Sequence, residues 1–565
     1  MNAVDRRAFV AYFSSIGLGS TLLPGVLWSR VQGQDPVRVT KEMLEDAEKI
    51  AGLKFTEEQR TRMVRGVNSM ARNIEQIHGV DLPNSVLPAI QFDPVLPGMH
   101  FDMQRTALRM SRQPKPQRPA DLESVAFWPV TQLAELIRTR QVKPSELTEM
   151  YLARLHRHGP TLEAVVSYMN ERARAQAAQA DREIAAGKYR GPLHGIPWGA
   201  KDLLATKGYR TTWGAEPYRE QMIDEDATVV QRLDAAGAIL IAKLTLGALA
   251  QGDVWYGGKT RNPWNPEQGS SGSSAGPGAA TAAGLVGFAI GTETLGSIMS
   301  PSRVNGVTGL RPTFGRVSRA GAMALSWSMD KIGPMCRSVE DCALVLHAIY
   351  GPDGHDPTVH GIPFNWTGGN VDLRKMRIGY TEASFDSPDR NGNVVEYNRA
   401  AVEALRRISP ELAPVEMPAD LPVNALGIIL NAESAAAFDD LTRSGRDASM
   451  EETSSWPNSF REARFIPAVE YIQANRIRTL LMQQMAAVME KVDVFMSTSG
   501  GNSVLLVTNL TGHPSIALPA GLSAQGTPVS VTFVGRLYDE ERLLAVAKAW
   551  QDATGHHTQH PPRFS

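Results

Sequence analysis

Apolar residues recur at three- and four-residue steps through residues 41–50 and 56–75, set among many charges, and predict two helices there. Pro83, Pro88, Pro94 and Pro97 then break the pattern into an irregular connector, and the polar tract from Ser111 to Arg118 predicts an exposed loop. Regular periodicity resumes at Thr131. Leu133, Leu136 and Ile137 mark one short helix. Pro144-Ser145 opens a second, with Leu147, Tyr151, Leu152 and Leu155 on one face, and residues 170–186 form a third with Ala173, Ala177, Ala180 and Ile184 as its buried stripe. Beyond these, helical segments alternate with short apolar runs. Helices are predicted over 229–236, 279–285, 339–349, 394–408 and 541–550, and strands over 238–242, 288–290, 377–380, 494–496 and 529–534. Helix and strand in alternation predict an α/β fold. The polar residues 551–565 read as a loose tail.

Composition narrows the functional classes. The 565 residues carry 58 Lys plus Arg against 59 Asp plus Glu, a balance that argues against a polyanion-binding surface, so no nucleic-acid partner is expected. Two cysteines, Cys336 and Cys342, cannot staple a chain of this length. No CxxC or HExxH is present and the histidines show no ligand spacing, so neither a metal nor another cofactor is expected.

At the N-terminus, Arg6-Arg7 precedes an uncharged, mildly apolar stretch from Ala8 to Ser29 that resembles a twin-arginine export signal. Its glycines and serines make it too weak for a stable membrane span. Two readings stand: a signal, which would place the protein in the periplasm or outside the cell, or an N-terminal helix anchored on the body of a cytoplasmic protein.

The densest chemical signal lies between Gly269 and Ile298. No large side chain occurs from Ser270 to Gly278, so this stretch must be wrapped by other elements, with its backbone amides left facing something. A flexible linker is the bland alternative, but small-residue helical sequence follows at once, and then a second glycine cluster at Gly291 to Ser297. Gly272-Ser273-Ser274-Ala275-Gly276 also matches the G-x-S-x-G elbow of α/β-hydrolases. The elbow needs a buried strand before it, which Asn265-Pro266-Glu267-Gln268-Gly269 cannot supply. Residues 252–260, GDVWYGGKT, miss the phosphate-loop spacing by one residue.

Together these stretches resemble the amidase signature family, from about Thr131 to about Trp550. Gly195 to Asp202 is similar to the family's lysine motif, Gly272 to Gly276 to its glycine-serine motif and Gly291 to Ile298 to its nucleophile segment. Further landmarks are Met329 to Pro334 and Asn509 to Pro514. The resemblance implies a mixed β-sheet core surrounded by helices. It also implies an amide hydrolase in which Ser297 attacks, Ser273 relays the proton and a neutral Lys201 takes it. Ser273 stands 24 residues before Ser297, which sets that register and leaves Gly272, Ser274 and Asp202 as supporting residues. The N–H groups of Thr294, Leu295, Gly296 and Ser297 are the implied oxyanion donors, and the Gly272–Ser273 peptide is implied to be cis. The arrangement makes chemical sense: a serine hydroxyl needs a base, and lysine becomes one when desolvation lowers its pKa.

Three departures from the family pattern stand out. Glu293 replaces an aspartate, Leu295 a glycine and Met299 an arginine, for which Arg303 is the nearest substitute. The implied domains are a signal or anchor over 1–35, a helical extension and connector over 36–125, a catalytic domain over 126–550 and the tail. The expected partner is a small-molecule amide. A glutamine-dependent amidotransferase subunit that hands ammonia to a partner is the alternative, and a scaffold without catalysis a more remote one.

Overall fold

The computed structural model describes residues 39–565 except 79, 81, 112–114, 387–394, 451, 453 and 499–502. The twin-arginine segment lies outside the described residues. The chain divides into two compact units, one ending at Pro83 and one running from Asn84 to Ser565.

The first unit is a helical hairpin of Lys41–Ala51 and Glu57–His78. The Thr40 side chain caps the first helix, and Gly52 ends it in the left-handed region at φ 66°. Arg60 bridges back to Glu48 at 2.8 Å, and Asn68 bonds both backbone groups of Val39.

The second unit is built on an 11-stranded sheet. Its strands are β1 Val165–Tyr168, β2 Pro197–Lys201, β3 Ile239–Leu244, β4 Phe288–Glu293, β5 Thr308–Arg311, β6 Lys331–Cys336, β7 Ile378–Tyr380, β8 Ala413–Pro414, β9 Val494–Thr498, β10 Ser515–Leu522 and β11 Pro528–Gly535. They lie in the order β1-β3-β2-β4-β6-β5-β10-β11-β9-β7-β8. Pairing is parallel at β3-β2-β4 and at β9-β7-β8 and antiparallel elsewhere, the mixed α/β sheet that the resemblance implies. β2, β3, β4 and β6 are buried along their whole length, as strands covered by helices on both faces must be.

Two expectations are corrected. The connector does not belong with the N-terminal helices. Asn84 bonds Ala324 O, Arg109 N donates to Trp366 O and Ser111 holds Glu340, so the body of the second unit begins near residue 84 and not at 126. The tail is not loose either. It forms short 3-10 turns at His556–Thr558 and Pro562–Phe564. Phe564 is buried, its carbonyl accepts from Arg154 at 2.5 Å, and His560 stacks on Phe127.

Candidate active site

Lys201 is the last residue of β2, which is hemmed in by β3 and β4. Lys201 stands opposite Leu244, and Ala200 opposite both Lys243 and Ile290. The lysine is therefore delivered, fully buried, at the C-terminal end of a strand that is paired on both sides. Its Nζ lies 2.8 Å from Ser273 Oγ, 3.0 Å from Ser274 Oγ and 2.9 Å from Thr292 Oγ1. No carboxylate touches it among the described residues. Burial pushes its pKa down to about 7, with the charges of Asp330 and Glu293 pulling weakly the other way.

Asp202 does not pair with its neighbour. Its carboxylate sits 2.9 Å from Lys243 Nζ and accepts from Thr212 N and Oγ1. Asp202 is the first residue of the turn after β2, and its carboxylate is engaged there by Lys243 and Thr212 instead of by Lys201.

The glycine-rich segment enters over β4 and turns into the helix Ala275–Ala282. The Gly272–Ser273 peptide is cis. A Cβ at Gly272 would stand 1.8 Å from Gly252 O, so only glycine fits there. Ser274 Oγ donates to Thr292 O at 3.1 Å and accepts from Thr292 N at 3.2 Å, tying the segment to β4. Its hydroxyl is thereby tied to the backbone as well as to Lys201, whereas Ser273 Oγ is hydrogen-bonded only to the lysine among the described residues.

Ser297 follows β4 by four residues and lies 8% exposed, against 1% for Ser273. Its carbonyl accepts from Ser274 N at 3.1 Å, which brings the Gly291–Ile298 segment against the glycine-rich one. Gly296 takes φ 88°, a left-handed turn that suits glycine. Among the described residues no protein acceptor takes the N–H groups of Leu295, Gly296 or Ser297. Thr294 sends its hydroxyl to Asp330 at 2.5 Å. Leu295 is the one large apolar side chain of this segment that is left 37% exposed.

The glutamate that departs from the family pattern is fully engaged. Glu293 Oε2 accepts from Ile298 N at 2.8 Å and Met299 N at 2.9 Å, while Oε1 takes Arg311 at 2.7 Å and Asn509 Nδ2 at 2.9 Å. Burial alone would raise its pKa, but Arg311, Lys331 and these donors hold it down at about 2. The arginine that meets Glu293 is thus Arg311, from β5, and not Arg303. Arg311 lies outside the motif stretches, at the end of the buried strand β5.

A cavity of about 320 Å³ opens on Thr292 and Thr294 and is lined further by Leu203, Ala250, Leu325, Trp327, Asp330 and Lys331. That volume is at the small end of the range for ligand sites. Of the other tryptophans near the motifs, Trp198 is a core residue stacked on Phe288. Among the described residues no group of three or more His, Cys, Asp or Glu is arranged to hold a metal ion, and no helix is long and apolar enough to cross a membrane.

Comparison with known proteins agrees with this geometry. Residues 146–502 match the family model described as Amidase. The chain is 36% identical over 468 residues to the putative amidase AmiD of Mycobacterium tuberculosis, covering 78% of this chain and 97% of that protein. It is 35% identical over 472 residues to a glutamyl-tRNA(Gln) amidotransferase subunit of Roseiflexus sp., covering 76% and 96%. Among solved structures, the native peptide amidase from Stenotrophomonas maltophilia superposes with a TM-score of 0.69 at 30% identity, over 78% of this chain and 100% of that one. The chain belongs to the amidase family and carries the amidase signature. It is an amidase, which hydrolyses carboxylic amides to acid and amine.

Proposed function

We propose that Ser297 is the nucleophile of this amidase, Ser273 the proton relay and Lys201 the base. The observation that carries the reading is a fully buried lysine whose nitrogen touches hydroxyls and no carboxylate, 2.8 Å from Ser273 Oγ. Ser297 Oγ forms a bond to the amide carbon as its proton passes to Ser273 and that of Ser273 passes to Lys201 Nζ. The N–H groups of the Thr294–Ser297 turn receive the oxyanion. The C–N bond then breaks while the proton returns along the same route to the leaving amine, which is a poor leaving group until protonated. Water attacks the resulting Ser297 ester by the same relay and releases the acid. Esters and carbamates share this acyl transfer and fall within reach of the same site.

The test is hydrolysis of a panel of amides by wild type, Ser297→Ala, Ser273→Ala and Lys201→Ala. Losses of several orders of magnitude in kcat support the reading, and near-wild-type rates in Ser297→Ala and Lys201→Ala overturn it.

The relatives that are amidotransferase subunits support a second reading, glutamine hydrolysis with ammonia passed to a partner. Co-purification of partner subunits and a strong preference for glutamine over simple amides would favour it. For location, we infer export from the Arg6-Arg7 pattern. N-terminal sequencing of the periplasmic fraction tests this, and finding the full-length chain only in the cytoplasm overturns it.

A further inference from the structure

Glu293, Lys331 and Asn509 surround the nucleophile turn without contacting the Lys201–Ser273 pair. Glu293 and Lys331 stand directly opposite each other on β4 and β6, so both side chains project on one face. Asn509, from the helix Ser503–Thr511, joins them with matched polarity. Its Oδ1 accepts from Lys331 Nζ at 2.7 Å and its Nδ2 donates to Glu293 Oε1 at 2.9 Å. Each end of the trio then grips the turn. Glu293 holds Ile298 N and Met299 N, just after Ser297, and Lys331 Nζ reaches Thr294 O at 3.5 Å, just before it. All three are buried, and Arg311 anchors the trio to Ser515 Oγ at 2.7 Å and His513 O at 2.9 Å.

We propose that Glu293, Asn509 and Lys331 form one positioning clamp that fixes the direction of the oxyanion-donating amides between Thr294 and Ser297. A four-residue turn held at one end can still rotate its peptide planes, but held at both ends it cannot. The longer glutamate is suited to this: one carboxylate oxygen reaches two amides while the other takes Arg311 and Asn509. The inference rests on Ser297 being the nucleophile. The clamp acts through the backbone, so its residues are positioning residues and not catalytic ones.

The experiment measures kcat and KM of Lys331→Met, Glu293→Gln and the double variant on the best amide of the panel. It also measures inhibition by the aldehyde of the same acyl group, whose adduct on serine carries a tetrahedral oxyanion. Displaced donors predict a fall in kcat of about 10- to 100-fold in each single variant, with KM within about threefold. The aldehyde should weaken in proportion to kcat, and the double variant should be no slower than the slower single one. Unchanged kcat in both single variants overturns the proposal, as do multiplying losses or losses confined to KM. Should Glu293→Gln not fold, Lys331→Met with Asn509→Ser supplies the same cycle. Ser297→Ala, run alongside, separates the outcomes: retained activity there defeats the nucleophile assignment whatever the clamp variants do.

Discussion

Lys243 Nζ lies 2.9 Å from Asp202 Oδ1, and both side chains are fully buried. This pair removes the only carboxylate adjacent in sequence to Lys201 from its surroundings. Two lysines thus sit in one sheet in different surroundings. Burial lowers the pKa of Lys243, and the Asp202 carboxylate beside it opposes that shift. Lys201 has hydroxyls and a carbonyl, which suit an uncharged amine.

That contrast predicts opposite effects on stability. Lys243→Met leaves Asp202 buried without a cation and should destabilise the protein by about 3–5 kcal/mol. Lys201→Met strands no charge and should unfold at or above the wild-type denaturant midpoint while losing activity. Urea unfolding of both variants checks this, and equal losses would contradict it.

The pH profile follows from the same lysine. Its folded pKa, about 7, lies below its ordinary value of 10.5, so the neutral base forms as pH rises through about 7. kcat/KM should climb through that pH and level off above it. The stability linkage has the same sign: between about 7 and 10.5 the unfolded chain binds the proton that the folded one has lost, so this group's contribution to stability rises with pH across that window. A kcat/KM profile flat from pH 5 to 9 would be inconsistent with a lysine base.

Leu295 offers a specificity test. Its exposed side chain stands two residues before Ser297, where an apolar substrate group can cover it. Leu295→Ala should weaken kcat/KM for bulky apolar amides by about tenfold relative to a small amide, the scale of partly burying one leucine. An unchanged ratio across the panel would remove Leu295 from substrate contact.

The ordered C-terminus makes a further prediction. Phe564→Ala opens a cavity beneath the tail and should destabilise the protein by about 3–5 kcal/mol, with kcat on the surviving folded fraction retained. Thermal melts and specific activity check the two halves separately.

Much of the architecture was legible. Helices at 339–349 and 170–186 announced themselves by periodicity and fall at Val339–Ile349 and Asn170–Ala185. The central strands were harder. β2 and β6 contain Gly and Pro, Pro197-Trp198-Gly199 and Gly333-Pro334, which break strands in isolation but are tolerated where close packing against neighbours demands a bare backbone. At Gly199 a Cβ would meet Leu244 Cδ1 at 2.4 Å. The polar composition of residues 551–565 suggested a loose end, because a single buried Phe564 leaves no periodic trace. In the site, Lys201, Ser273 and Ser297 stood out through their motifs, and the structure seats Lys201 against Ser273. Arg311, Asn509 and Lys243 act on groups 18, 216 and 41 positions away, and no local pattern encodes such pairings.

The proposed catalysis requires that Lys201 activate Ser297. The most direct measurement is the rate of covalent labelling by a fluorophosphonate, followed by intact mass and peptide mapping across pH 5–9. The adduct should map to Ser297, its rate should rise through pH about 7, and Lys201→Ala should abolish that rise together with most of the labelling. An adduct on Ser273 or Ser274, or undiminished labelling of Ser297 in Lys201→Ala, would contradict the account.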